Sequence, residues 1–365
     1  MQLLTHVNTA TDPIERGRDI GTAFGAEIRK SARLYLDFFE MRGLPESSVR
    51  SIADHSFAAL AAWSPRLADE LIATAEAAEV ERWQLAALNA RTEVLAAIAP
   101  DREGECSTAI WAPVGPNAPQ TMQTWDWHDS LCPSGLMLEL TPGTAPETGR
   151  PVGKVRLFTE LGVLGKIGVN DAGIGVHFNI LHHESNRSDG GVPVHAIARR
   201  ILDEARTIAE AEAIARSATV SASTVISVVS RADESPRAVS LELSPAGVAT
   251  VLPNADGWLL HTNHFLDPVL AVGEATLDRS TTFLRFDHLV TQSPGLADLP
   301  VRERARTFAG EAGKNAPVCF VPNPADPPHE QWTTLLTISL DLEEGRLDFS
   351  AGSPAHLAEQ GAERF

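Results

Sequence analysis

The reading turns on Gly104-Glu105-Cys106-Ser107-Thr108-Ala109-Ile110-Trp111-Ala112, followed by Pro113, Gly115, Pro116 and Pro119, and then Thr121-Met122-Gln123-Thr124-Trp125-Asp126-Trp127. Two β-prone runs joined by a Pro/Gly-rich loop predict an antiparallel hairpin. Centred near Pro116 or Asn117, the hairpin sets Cys106 opposite Asp126 or Trp127 and brings a thiol beside a carboxylate. Side chains alternate along a strand, so Asp126 points to the face opposite Trp125 and Trp127. Those two indoles are available for packing or for a pocket wall.

The composition changes character at this stretch. Before it, apolar residues recur at helical spacing from Pro13 to about Arg42 (Ile20, Phe24, Ile28, Leu34, Leu36, Phe39), with Gly43 as C-cap, and Gly21 and Gly25 leave room for a neighbouring element. Further helices are predicted over Ser47 to Ala62, Pro65 to Ala78 and Glu81 to about Ala97, in an alanine-rich region without strand signals. After it come runs with strand character: Cys106 to Ala112, Thr121 to Trp127, Val152 to Thr159, Leu164 to Val169 and Gly173 to Ile180. Two helices over Val194 to Ser217 are followed by strands at Ser223 to Ser230, Ala238 to Leu243, Val248 to Leu252 and Trp258 to Thr262. Helices over Ser280 to Val290 and Val301 to Gly313 precede a last strand pair, Thr333 to Asp341 and Gly345 to Ala351. The alternation predicts an α+β fold in which helices cover two stacked sheets.

Thirty Lys and Arg against 48 Asp and Glu leave a formal charge of -18, which repels phosphate backbones and anionic membrane surfaces, so neither nucleic acid nor membrane is an expected partner. No run reaches the roughly 20 apolar residues that span a bilayer, and the first residues lack a basic segment followed by an apolar one. A cytoplasmic protein is expected. Cys106, Cys132 and Cys319 are odd in number and lack CxxC spacing, which argues against a disulfide framework or a thiolate zinc site.

The chain resembles the acyl-coenzyme A:6-aminopenicillanic acid acyltransferase (isopenicillin N acyltransferase-like) family of N-terminal-nucleophile (Ntn) hydrolases. The resemblance rests on the Glu-Cys-Ser-Thr junction at 105–108 after a helical leader, and on Trp125-Asp126-Trp127. It continues in Gly162-Val163-Leu164-Gly165-Lys166-Ile167-Gly168-Val169-Asn170 running into Gly173, and in Gly191-Val192-Pro193 before a helix. His261-Thr262-Asn263-His264-Phe265 and the ending Gly352-Ser353-Pro354 complete it. It implies a four-layer αββα sandwich made as a precursor that cuts itself between Glu105 and Cys106. Residues 1–105 would form an α chain and 106–365 a catalytic β chain, the two remaining together as a heterodimer and one structural domain. At 318–322 this chain has Val-Cys-Phe-Val-Pro where family members commonly carry a Ser-Ile-Cys-Arg type segment, so contacts of that Ser and Arg do not carry over.

The chemistry of such a cut is coherent in itself. The Cys106 thiol attacks the Glu105 carbonyl, water hydrolyses the thioester, and the new α-amine, titrating near ~7.7–8, becomes the base for the same residue's thiol. Cys106 is therefore the expected nucleophile. The resemblance assigns Asp126 to catalysis, as an anchor for the new amine. It gives Asn263 an oxyanion-hole role through its NH2. Trp125, Trp127 and Arg285 are candidate substrate contacts, Arg285 either binding a carboxylate or pairing with surface acids. His261 and His264 read as buried hydrogen-bonded residues rather than metal ligands, and His182-His183-Glu184 as a solvated loop. Cys319 reads as packing and Cys132 as a surface or pocket-rim residue. No metal or cofactor is expected, with acyl-coenzyme A a candidate substrate. The expected activity is that of a cysteine amidohydrolase or N-acyltransferase acting on a small amide or acyl donor, the alternative being a catalytically silent binding or scaffold protein.

Overall fold

The computed structural model describes residues 1–98, 105–115, 117–146, 149–276, 281–325, 327 and 331–365. Gly104, Pro116 and Ser280, which enter the expectations above, lie outside the described residues. The chain opens with strand β1 (Gln2–Val7) and helices α1 (Pro13–Ala23), α2 (Gly25–Met41), α3 (Glu46–Trp63), α4 (Pro65–Ala77), α5 (Arg82–Asn89) and α6 (Arg91–Leu95). Strands β2 (Glu105–Trp111), β3 (Gln120–Trp127), β4 (Ser134–Leu140), β5 (Val155–Glu160), β6 (Ile167–Asn170) and β7 (Ile174–Ile180) follow. Helices α7 (Val194–Glu204) and α8 (Ile208–Ser217) lead to β8 (Thr224–Ser230), β9 (Ala238–Ser244), β10 (Gly247–Val251) and β11 (Trp258–His261). After α9 (Thr282–Gln292) and α10 (Val301–Ala309) come β12 (Thr333–Asp341), β13 (Arg346–Ala351), α11 (Pro354–Gln360) and β14 (Glu363–Arg364).

Two sheets result, one ordered β1-β4-β5-β6-β7-β8-β9-β10 and the other β11-β2-β3-β12-β13-β14. Alternation sorts the second sheet's side chains into two cores. Cys106, Ile110, Trp125, Trp127 and Ile338 point inward, to the core shared with the first sheet. Ala109 and Met122 point outward, to a separate core with Leu289 of α9, Phe308 of α10 and Leu357 of α11. Helices α7 and α8 pack on the strands β6 to β9 of the first sheet. The layers are therefore helix, sheet, sheet, helix, the expected αββα sandwich.

The leader departs from its all-helical reading. Residues 2–7 form a strand that pairs in parallel with β4, and neither β4 nor α11 was foreseen. The predicted helix from Pro13 is broken at Phe24, and that from Glu81 at Ala90. Close approach is provided by Gly17 and Gly21, where a Cβ would run into the α4 carbonyls of Glu70 and Thr74, rather than by Gly25. A buried charged triad ties this region to the rest: Arg16 Nε and Arg199 Nη2 donate to Glu70 Oε2 at 2.8 and 2.9 Å, and Arg199 also donates to Asp203.

The hairpin register is the second departure. Cys106 pairs with Trp125, and Asp126 faces Glu105. The pairing is displaced by one residue from the expected Asp126 partner, which exchanges the faces, and by two from the expected Trp127 partner, which does not. Cys106 and Trp125 thus share the inward face, while Asp126 belongs to the outward one.

Candidate active site

Cys106 lies beyond the end of β11, whose last pair is His261 with Thr108. The main-chain groups that a longer β11 would have engaged are held by side chains instead. Cys106 N–H donates to Asn263 Oδ1 at 2.8 Å. The Cys106 carbonyl accepts from Arg285 Nη1 at 2.6 Å and from Asn179 Nδ2 at 3.1 Å. Arg285 also donates to Asn263 Oδ1 at 2.8 Å, to Ser107 Oγ and to Thr281 Oγ1. Arg285 is fully buried, so the surface-acid reading fails; the guanidinium of α9 reaches through the outward face of the sheet to the backbone of the candidate nucleophile.

Asn263 is oriented by its neighbours. Its oxygen faces two donors and its NH2 donates to the Ile180 carbonyl at 2.8 Å, so a flipped amide would set donor against donor. The side chain thus presents its acceptor to the Cys106 nitrogen and its NH2 to the Ile180 carbonyl at the pocket wall. Asp126 is fully buried and lies opposite Glu105, across the strand from the residue that precedes Cys106, with Thr124 Oγ1 donating to it at 3.4 Å.

The thiol faces the inter-sheet pocket lined by Trp125, Trp127, Arg91, Lys166, Phe178 and Ile180, among others. Burial pushes the Cys106 thiol up to about 12; the Lys166 and Arg285 cations and a hydrogen bond from the Asp126 main-chain N–H favour the thiolate, whereas the Asp126 charge opposes it. In the intact chain the sulfur is a protonated thiol at neutral pH, and any activation has to come from a base that takes its proton.

One group of pocket residues escaped the sequence reading. Glu160 at the end of β5 accepts from Tyr35 at 2.8 Å, and its Oε1 is bracketed by Arg91 Nη2 at 2.7 Å and Lys166 Nζ at 3.1 Å. Lys166 also stands over the Trp125 ring, 3.4 Å from its centroid. Burial lowers the Lys166 amine to about 8, with Glu160 pulling the other way. Lys166 was visible as the lone cation in an apolar glycine-rich run, and Asn179 as the lone amide in β7, but their partners come from remote segments.

Of the remaining expectations, Cys319 is buried in the outer core, as read. Cys132 is buried rather than at the surface, its sulfur near Met1 and the Ser134 carbonyl. His183 is buried and edge-on to Phe265, and His182 lines the pocket, so that segment is not a solvated loop. His261 contacts Glu242 at 2.8 Å, and His264 contacts Thr282 Oγ1 at 2.9 Å; both are buried and hydrogen-bonded.

Comparison with solved structures finds penicillin V acylase from Agrobacterium tumefaciens (14% identity, 67% of this chain and 82% of that one, TM-score 0.38). It also finds a conjugated bile acid hydrolase mutant from Clostridium perfringens (12%, 71% and 92%, TM-score 0.42). An N-acylethanolamine-hydrolyzing acid amidase ortholog from Caenorhabditis elegans is similar at 15% identity (64% and 92%, TM-score 0.41). Among curated proteins, the 40 kDa form of acyl-coenzyme A:6-aminopenicillanic-acid-acyltransferase from Emericella nidulans is 31% identical over 202 residues, which is 55% of this chain and 52% of that protein. The chain thus spans about half the length of the curated relative it matches. Residues 122–356, well over half the chain, match the family described as Acyl-coenzyme A:6-aminopenicillanic acid acyl-transferase, and the chain belongs to that family.

Proposed function

We propose that the protein is a self-processing cysteine amidohydrolase or N-acyltransferase of the Ntn type. The observation that carries this reading is that both main-chain polar groups of Cys106 are held by buried side chains, Asn263 at the nitrogen and Arg285 with Asn179 at the carbonyl. An ordinary strand cysteine has no need of such an array. In this reading Cys106 Sγ adds to the Glu105 carbonyl, the C–N bond breaks as the nitrogen takes a proton, and water hydrolyses the thioester. The products are a Glu105 carboxylate and a free Cys106 amine. That amine, still held by Asn263 Oδ1, then accepts the thiol proton and returns it to the leaving amine of a substrate amide, with water or an acceptor amine releasing the acyl group. Arg285 fixes the backbone beneath the nucleophile, and Asp126 sets the charge beside the scissile bond. Trp125 and Trp127 form the substrate wall. Acyl-coenzyme A is a candidate donor in the transferase variant.

Among the described residues no helix is long and apolar enough to cross a membrane. A cytoplasmic setting belongs to the same proposal, supported by three cysteines that are all unpaired.

Denaturing electrophoresis with intact-mass measurement tests the reading. Wild-type protein should separate into 105- and 260-residue chains, and Cys106→Ala should stay whole and inactive toward an amide panel. A wild-type chain that remains whole yet turns over amides would remove self-processing. A whole chain without thiol-dependent activity would favour the silent scaffold.

A further inference from the structure

Two residues along from Cys106 and Trp125, and therefore on the same inward face, Thr108 and Gln123 form the next cross-strand pair of the hairpin. Against them, on β7 of the other sheet, stand His177 and Asn179. All four side chains are at most 1% exposed. Polar groups are costly in such a place unless they are bonded, so the direction of each hydrogen bond shows what the cluster is arranged to hold.

That direction is set from the backbone. Gln123 Nε2 donates to the Phe178 carbonyl at 2.7 Å, a group that can only accept, so Oε1 is left to accept from His177 Nδ1 at 2.8 Å. Burial lowers His177 to about 3, which keeps the ring neutral with its one proton on Nδ1; Nε2 has no partner among the described residues. Gln123 Nε2 and the Thr108 hydroxyl both donate to Asn179 Oδ1, at 3.2 and 2.8 Å. With its oxygen so engaged, Asn179 turns its NH2 to two carbonyls, those of Cys106 at 3.1 Å and His261 at 3.4 Å. A flipped amide would set oxygen against oxygen on one side and donor against donor on the other. The next residue of β7 supports the other side-chain amide of the site, because the Ile180 carbonyl accepts from Asn263.

We propose that Gln123 and Thr108 are positioning residues for the nucleophile, acting through Asn179: they fix its amide so that the Cys106 carbonyl is clamped from the first sheet while Arg285 clamps it from α9. The inference rests on the amidohydrolase reading for what Cys106 does. On that reading the cut turns Cys106 into a chain end, and chain ends fray unless they are tied down. A carbonyl held from two directions then fixes where the sulfur and the amine stand relative to a substrate carbonyl.

Gln123→Met keeps the length of the side chain without its NH2, and Thr108→Val keeps the shape without the hydroxyl. Each should lower kcat at least fivefold with KM within about twofold of wild type, and Thr108→Ser should recover most of the loss. Because both act through one amide, Asn179→Ala should cost at least as much, and adding Gln123→Met to it should change kcat less than twofold. A residue that served stability alone would depress the melting temperature in either background and leave kcat in place. Should Gln123→Met fail to fold, Thr108→Val carries the same cycle. Smaller losses, or losses that multiply in full with that of Asn179→Ala, would overturn the assignment. Solvent exchange of the Asn179 side-chain NH2, followed by NMR in asparagine-labelled protein and assigned by its disappearance in Asn179→Ala, reads the clamp without turnover. Gln123→Met should speed that exchange at least fivefold, and unchanged exchange would overturn the clamp. Faster exchange in a protein that turns over no amide would leave the clamp standing and count against the amidohydrolase reading.

Discussion

The main-chain nitrogen of Cys106 and Oδ1 of Asn263 lie 2.8 Å apart, a contact that occupies the place where β11 stops short of the strand bearing the thiol. Once that nitrogen is an amine, the same oxygen would accept from a group that has to be neutral to act as base. Asn263→Ala should lower kcat/KM roughly 10- to 150-fold, the value of about 1.5–3 kcal/mol for a hydrogen bond to the amine once it has taken up the thiol proton and become charged. Asn263→Asp adds a negative charge that favours the protonated amine, so the low-pH limb of the kcat/KM profile should move to higher pH. A residue that merely caps a strand would leave the position of that limb unchanged while depressing the melting temperature.

Arg285 distinguishes positioning from substrate recognition. Because its guanidinium spans the Cys106 carbonyl, Ser107 and Asn263, Arg285→Lys cannot reproduce the contacts even though the charge is kept. We expect slower maturation and a tenfold or greater fall in kcat with KM nearly unchanged. A rise in KM for carboxylate-bearing substrates alone would return Arg285 to the role of a substrate anchor.

Glu70 holds the leader to α7. Burial pushes its carboxyl upward, but the Arg16 and Arg199 guanidiniums outweigh this and hold it below the usual range. Glu70→Gln strands the buried Arg16 guanidinium and leaves Arg199 with Asp203 alone, and should cost about 3–5 kcal/mol in chemical unfolding. A depressed folded-state value also means that this contribution is present above the ordinary carboxylate range and is lost on acidification, so the variant's stability should fall less steeply than wild type below about pH 4.

Glu93 is the opposite case. Burial raises its carboxyl to about 8, although the Val194 N–H donates to Oε1 at 2.9 Å. The folded chain keeps a proton that the unfolded chain releases, so stability is full below about pH 4.5 and declines as the pH rises to about 8. Glu93→Gln keeps the acceptor without titrating. Its stability relative to wild type, read from urea midpoints, should improve by a few kcal/mol between pH 5 and 8, at about 1.4 kcal/mol per pH unit. Parallel pH profiles for the two proteins would show that Glu93 is not the protonated group.

Local pattern was enough to read α3, α4, α7, α8 and most strands, because their apolar faces repeat within a single segment. The Cys106 hairpin was readable as a pair, and Asp126 lies opposite in face to Trp125 and Trp127 as alternation requires, but the register depends on a loop whose composition does not mark its midpoint, so the partner of Cys106 is Trp125 rather than Asp126 or Trp127. The strand over Gln2–Val7 was missed because its partner, β4, begins at residue 134. The Arg91–Glu160–Lys166 cluster was invisible for a related reason: α6, β5 and the turn before β6 each contribute one residue, and no spacing within any of them signals the others. Asn263 was found from the family pattern, yet which end of its amide faces Cys106 is set by Arg285 and Ile180, which only the packed chain brings together.

The parallel pairing of β1 with β4 has a consequence for the order of events. A ribosome that has made residue 140 has already supplied both strands, so the amino-terminal segment can be woven into the sheet while Asn263 and Arg285 are still unmade. A cut that requires those two side chains can only come later. By then β1 already joins the amino-terminal part to the sheet through its pairing with β4, so the proposed cut at 105–106 would change where one chain begins without changing what is joined to what.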